Sequence, residues 1–198
     1  EILWTRMLSV SLGHEIVSTL AVISAFFGGI ALGAWFLDRP VSQSSQPRLW
    51  YAGLEIIIGV WALLLIFLIP WLNPVAASII GVQPTPAWHW TVSFCYPFLL
   101  LLPATFALGG TLPAMDRIFN YAQKTQRAVG GLYSANTFGA MAGTFGTTFI
   151  IMPLLGMHAT ATVLAALNIT GALGVLFLFP HQQKTNQNAP PRSEVAVV

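Results

Sequence analysis

The chain has 198 residues, of which 56% are hydrophobic and only 7% are charged. A soluble domain carries about 25% charged residues, so a water-soluble core is not expected. The net charge of +2 comes from 8 Lys and Arg against 6 Asp and Glu, and the basic residues are spread over separate segments. Nucleic-acid-binding proteins carry a clustered basic patch instead. The composition therefore predicts a membrane protein with the lipid bilayer as its partner and no role in nucleic-acid binding.

Five apolar stretches are long enough to cross a bilayer, whose hydrocarbon core of about 30 Å needs roughly 20 helical residues. In chain order they are 15–37, 49–72, 90–115, 130–155 and 157–179. Membrane β-barrel strands would alternate apolar and polar residues over about 10 positions, whereas these runs are continuous. The sequence predicts an all-α fold, a multi-pass transmembrane helical bundle.

The ends of the chain suggest its domain organisation. Residues 1–12 are apolar but too short to span alone, and they begin at Glu1 without a Met. We interpret them as the outer part of a truncated first helix, which gives about six spans in a transmembrane domain covering 1–180. Pro180 ends the last helix, and 181–198 is polar and rich in Gln, Asn and Pro, as a linker is. We expect a further domain beyond this tail.

Charges in the connections predict the orientation. Basic residues follow the stretches 15–37, 90–115 and 157–179: Arg39, Arg48, Arg117, Lys124, Arg127, Lys184 and Arg192. The alternate connections, 73–89 and a tight turn at Gly156, contain no Lys or Arg. By the positive-inside rule, the basic loops and the tail at 181–198 are predicted to face the cytoplasm.

Ionisable side chains in the membrane are the first candidates for a functional site, because their insertion costs a few kcal/mol unless they pair or face a cavity. Glu55 lies about two turns beyond Arg48 and is the best candidate for a buried functional carboxylate; a structural hydrogen bond is the alternative. Glu1, Arg6 and Glu15 lie toward the outer half. Glu1 and Arg6 could pair with each other or with Glu15, and Glu15 could equally be solvated at the interface.

Small residues and one amide mark two further features. Gly29 and Gly33 form a G-x-x-x-G motif, and Gly139, Gly143 and Gly146 form an extended one; such motifs bring membrane helices into close contact. Packing within one bundle, a homodimer contact and a sliding surface all stay open. Asn136 is predicted to seek a partner on a neighbouring helix, as a structural bond or as a substrate contact.

Motifs of catalytic or cofactor-binding chemistry are not recognisable. The histidines do not approach metal-ligand spacing and the single Cys95 precludes a cysteine zinc site. The glycine-rich stretches follow no strand and match neither a phosphate loop nor a dinucleotide fingerprint. We therefore expect no catalytic residue, metal or cofactor in this segment.

Particular strings resemble the membrane region of bacterial spermidine synthase-like proteins: EILWTRMLSVSLG, FFGGIALGAWFLDR, YAGLEIIIGVWAL, FALGGTLPAMDR and GGLYSANTFGAMAGTFGTTFIIMPLLG. The most specific pieces are the E-x-x-W-T-R start, Gly109 to Pro113, and Leu132 to Gly139. The likeness covers Glu1 to about Phe179. It implies a multi-pass domain of the bacterial inner membrane that precedes a cytoplasmic aminopropyltransferase-like domain, the part that binds decarboxylated S-adenosylmethionine and the polyamine.

This resemblance sets the leading hypothesis for function. The segment would anchor a spermidine synthase-like catalytic domain and conduct a polyamine or related cation, without being an enzyme itself. A weaker likeness supports the alternative, half of a major facilitator-like transporter: Asp38-Arg39 and Asp116-Arg117 each end an apolar block after small residues, as an internal repeat would. The third hypothesis is a purely structural membrane anchor.

Overall fold

The computed structural model of this chain describes residues 2–12, 15–122 and 127–179, and each element in this part of the chain is a helix. The predicted all-α class is confirmed for these residues. Within these described ranges, four segments are long and apolar enough to cross a membrane: Thr19–Gln43, Pro47–Ile80, Pro86–Phe119 and Gly130–Leu178. The predicted linker at 181–198 and the charged residues Glu1, Lys124, Lys184 and Arg192 lie outside the described residues.

The helices are α1 (Ile2–Leu12), α2 (Glu15–Gln43), α3 (Pro47–Ile80), α4 (Pro86–Ala122), α5 (Arg127–Gly146) and α6 (Met152–Leu178), with a π-helical segment, Thr147–Ile151, joining the last two. The predicted count of about six spans, the first of them truncated, is not confirmed. One reason is that α1 has only 11 residues. The other is that α5, the π-helical segment and α6 follow one another directly, so that 130–178 counts as one long candidate although the backbone at Gly156 is not helical.

Several helices run past the predicted ends. Residues 49–72 and 90–115 were expected as spans, whereas α3 has 34 residues and α4 has 37. Both contain internal prolines, such as Pro70 and Pro103. A proline removes one helical hydrogen bond and bends the helix, but the next turns can continue. The prolines in these two helices therefore do not end them.

The chain kinks at Gly156, where the sequence predicted a turn. Gly156 has φ 75° and ψ 175°, inside what is otherwise helix. That region of backbone space is essentially restricted to glycine. Pro153 lies just before it and cannot donate to the carbonyl one turn earlier; the Met152 N–H bonds to the Thr147 carbonyl, five residues back. The π-helical segment therefore adjusts the hydrogen bonding ahead of Pro153.

The two ends of the bundle are closed by different contacts. At one end, which we call the Arg48 end, the Arg48 guanidinium donates to the Phe179 carbonyl at 3.1 Å, and the Phe179 ring packs edge-on against Phe119. At the other, the Trp88 end, the Trp88 indole donates to the Ile79 carbonyl at 3.0 Å across the short α3–α4 connection. The beginning of α3 and the ends of α4 and α6 thus meet at the Arg48 end.

Helices α2 and α4 pack most closely. A Cβ at Gly29 would overlap the Thr105 side chain, and one at Gly33 would overlap the Phe106 carbonyl. From the other side, Gly109 of α4 lies against the α2 backbone around Ala34. Since apolar helices gain no hydrophobic drive in lipid, such backbone approach is a main source of their association.

Large apolar side chains point away from these contacts. Trp35 is 83% exposed, Phe67 75% and Phe177 80%, while small residues such as Ala25 and Ala165 are buried. A soluble protein seldom exposes so much contiguous apolar surface. The outer surface is therefore suited to lipid.

Candidate ligand cavity between the helices

A cavity of about 510 Å³ lies between the helices. It is lined by residues from α1 to α6, so each helix contributes to its wall. Its volume is within the range of about 300–1,000 Å³ that small-molecule sites occupy. We call it the central cavity.

One end of the central cavity is apolar. Trp4, Leu65 and Leu101 line it there, and Leu65 and Leu101 are fully buried members of one hydrophobic cluster against which Trp4 packs. Leu3 joins the same wall and packs in a second cluster with Ile66. This end lies on the side toward the Trp88 end of the bundle.

The other end carries an amide. Asn168 of α6 lines the cavity, and its Cβ packs beside Gly59 of α3, 3.5 Å from where a glycine Cβ would lie. Ile58, next to Gly59, is the lining residue at this depth. Ile58 and Leu65 are two turns apart on α3, so the amide and the apolar end are separated by about 10 Å along the helix.

A threonine hydroxyl lies at the same depth as this amide. Thr105 of α4 is buried and lines the cavity. It lies between Leu100, whose carbonyl accepts the Trp61 Nε1–H at 2.8 Å, and Gly110, which packs against Leu54. These two contacts fix the alignment of α4 with α3 and place the hydroxyl midway between them.

The stretch around the π-helical segment supplies two more hydroxyls. Thr144 and the buried Thr147 line the cavity beside Gly143. Met152, farther along, packs with Ile66 of α3. Thr144 precedes Met152 by as many residues as Ile58 precedes Ile66, so Thr144 and Ile58 lie at about the same depth. The polar lining thus forms a band at one depth, made by Thr105, Thr144 and Asn168.

The central cavity exists because α5 does not close onto its neighbours. Apart from the adjoining backbone of α5 itself, no described atom lies within 4 Å of where a Cβ would be at Gly139, Gly143 or Gly146. Residues on both sides of the Gly156 kink, Gly143 before it and Asn168 after it, face the same space. The close packing predicted for the second glycine motif has no partner among the described residues, whereas Gly29 and Gly33 of the first have one.

Among the predicted polar candidates whose side chains the structure describes, Arg6, Glu55 and Asn136 do not line this cavity. Arg6 is an exposed residue of α1, and Asn136 is exposed on α5. Glu15 begins α2; nothing further is described of its side chain, and Glu1 lies outside the described residues. The structure therefore does not bring Arg6, Asn136 and Glu55 together into one site.

Glu55 is half-buried on α3 and accepts a hydrogen bond from Tyr51, one turn earlier. It lies one turn before Gly59, on the helix face that packs against α6. This position is on the seam between α3 and α6, one turn nearer the Arg48 end than the polar band. Its carboxyl thus has a structural partner and is not part of the cavity lining.

Sequence reasoning missed the polar band. Asn168 lies in an apolar run just as Asn136 does, so the sequence gives no reason to prefer one amide over the other as a site residue. The threonines are also less distinctive, because a Thr in a membrane helix often bonds to its own backbone, as Thr105 does to the Leu101 carbonyl at 3.0 Å. Among the described residues, no group of His, Cys, Asp or Glu could hold a metal ion.

No protein-family model, curated protein or solved structure matches this chain. Its function is therefore inferred from the fold, the central cavity and the sequence resemblance.

Proposed function

We propose that this chain is a membrane-embedded domain that binds a small molecule in the central cavity. The observation that supports the proposal is a cavity of about 510 Å³ with a band of hydroxyl and amide groups at one end and an apolar wall at the other. A purely structural anchor has no need of such a cavity, because lipid-embedded helices gain stability by packing closely.

The proposal includes a membrane arrangement. The segments on either side of Gly156 count as separate spans, since together they are far longer than a bilayer is thick, at about 1.5 Å rise per residue. The bundle lies in a bacterial inner membrane with its Arg48 end in the cytoplasm. The basic loops, whose ends meet around Arg48 and Phe179, support this orientation.

The resemblance to spermidine synthase-like proteins supports a further part of the proposal. The domain anchors a catalytic domain of that kind at the cytoplasmic face, following the segment at 181–198. The sequence of the parent gene beyond residue 198 tests this part: a glycine-rich nucleotide-binding domain is expected, and six further spans would favour the transporter half instead.

The cavity itself is tested by filling it. Ala104 lines the cavity, and Ala104→Phe should occupy part of its volume. Ala31 is exposed on α2, so Ala31→Phe adds the same ring outside. Small molecules that co-purify with the protein in lipid nanodiscs would be compared by mass spectrometry. We expect one species at near one per protein in the wild type and in Ala31→Phe, and its loss in Ala104→Phe; identical profiles in all three would refute the proposal.

A second candidate function is passage of a polyamine or related cation along the α3–α6 seam. The half-buried carboxyl of Glu55 favours it, because such a group in a membrane span often marks an ion pathway. Its hydrogen bond from Tyr51 supports the structural alternative equally.

Three variants separate the two roles of Glu55. Glu55→Gln keeps the shape and removes the charge, Glu55→Leu removes both, and Tyr51→Phe removes only the hydrogen bond. If a cation binds at Glu55, spermidine uptake into proteoliposomes should be abolished by Glu55→Gln and kept by Tyr51→Phe. Wild-type uptake in a well-folded Glu55→Gln protein would rule out the cation pathway.

A further inference from the structure

We infer that the ligand of the central cavity is an uncharged molecule with an apolar body and one hydrogen-bonding head group, and that the Asn168 amide holds the head. This inference rests on the proposed function and specifies the chemical class of its ligand. Three properties of the lining lead to it.

The first property is the absence of charge. None of the described residues that line the cavity is Asp, Glu, Lys, Arg or His. An ammonium group transferred into such surroundings loses its hydration without gaining a counter-charge, which is strongly unfavourable. Glu55, one turn nearer the Arg48 end, is on the α3–α6 seam and bonded to Tyr51. A polyamine is therefore a poor occupant of this cavity.

The second property is the state of the polar groups. The Thr105 hydroxyl already donates to the Leu101 carbonyl. The Asn168 amide makes no hydrogen bond to any described residue, although it packs between helices at Gly59. An amide in an apolar interior requires partners for its N–H and its carbonyl. A hydroxyl, amide or carbonyl head group supplies them without introducing a charge.

The third property is that the polar groups and the apolar wall lie at opposite ends of the cavity. The polar band lies level with Ile58 and the apolar end level with Leu65, about 10 Å apart on α3. The ligand would lie with its head toward the Arg48 end and its body against Trp4 and Leu65. A chain of about eight carbons matches that length, so 1-octanol and octylammonium form a pair of equal shape that differs in charge.

Binding of radiolabelled 1-octanol, octylammonium and spermidine would be measured on the protein in nanodiscs, with the signal of empty nanodiscs subtracted. We expect saturable 1-octanol binding and at least tenfold weaker binding of both cations, since a charge in apolar surroundings costs a few kcal/mol. Asn168→Ala keeps the Cβ that packs at Gly59 and should weaken 1-octanol binding about fivefold, the equivalent of one net hydrogen bond. Asn136→Ala, which removes an exposed amide of α5, is the matched control and should bind as the wild type does.

The outcomes separate the inference from the proposed function. Octylammonium or spermidine binding that equals or exceeds that of 1-octanol, and is lost in Ala104→Phe, would overturn the neutral ligand while leaving the cavity as a site. Equal 1-octanol binding by Asn168→Ala and Asn136→Ala would overturn the role of Asn168. Binding of 1-octanol that Ala104→Phe does not reduce would overturn the proposed function itself.

Discussion

In the described part of the chain, two glycines adopt a backbone conformation that other residues rarely accept. Gly156 has φ 75° and ψ 175°, and Gly81, at the end of α3, has φ 79° and ψ −179°. At both positions a side chain would be strained even where space is open. The two positions differ in what depends on them, because Gly156 sets the direction of α6 along the cavity, whereas Gly81 lies in the short α3–α4 connection.

We expect Gly156→Ala and Gly81→Ala each to lower the free energy of unfolding by about 1–3 kcal/mol, the usual cost of such strain. Only Gly156→Ala should also weaken ligand binding in the central cavity. Thermal unfolding and 1-octanol binding would be measured on both variants in nanodiscs. Unchanged binding in Gly156→Ala, or an equal loss in Gly81→Ala, would contradict the role given to the kink.

At the scale of whole helices, the two G-x-x-x-G motifs have different surroundings. Gly29 and Gly33 let α2 approach α4 until backbone meets backbone. Gly139 and Gly143 belong to α5, where no described atom beyond the adjoining backbone of α5 lies within 4 Å of an added Cβ. The same motif therefore packs two helices together in one place and borders a cavity in the other.

Alanine at each motif tests this difference. Gly33→Ala places a methyl group on the Phe106 carbonyl and should cost about 1–3 kcal/mol, as overpacking does. Gly139→Ala meets no neighbour and should leave stability unchanged or raise it slightly, because alanine is the better helix former. Unfolding of the two variants would be compared by thermal melting. A loss in Gly139→Ala as large as that in Gly33→Ala would show that α5 is packed at this motif.

The features that the sequence predicted depend mainly on local properties of the chain. Long apolar runs determine helices, Gly156 follows Pro153 and marks the kink, and the small residues Gly29 and Gly33 indicate close packing. The cavity could not be predicted because it depends on how far α5 stays from the other helices, which no local pattern encodes. Asn136 and Asn168 are alike in sequence, and only the packing of α6 on α3 puts one of them at the cavity.

At the scale of the whole molecule, contacts show which helix ends lie at the same end of the bundle. The start of α3 meets the end of α6 through Arg48 and Phe179, and the α3–α4 connection near Trp88 and Ile79 is at the opposite end. The orientation proposed above from the positive-inside rule has the Arg48 end in the cytoplasm. The catalytic domain proposed to follow 181–198 would then lie on the same side.

Cysteine labelling tests this orientation. In a Cys95→Ser background, Ser78→Cys near the Trp88 end should react with a membrane-impermeant maleimide added to intact cells. Ser45→Cys, in the connection before α3, should react only after the membrane is opened. Both serines are exposed, so access to the reagent is set by the membrane and not by burial. The reverse pattern would overturn the orientation and remove the argument for a cytoplasmic partner domain.

The central claim is that the central cavity between the helices holds a ligand, and a cryo-electron microscopy map of the protein in a lipid nanodisc tests it most directly. The account predicts non-protein density between Asn168 and Thr105 that extends toward Trp4, with α5 separated from α6 around it. A map in which α5 packs directly against α6 and leaves no space beside Gly143 would contradict it.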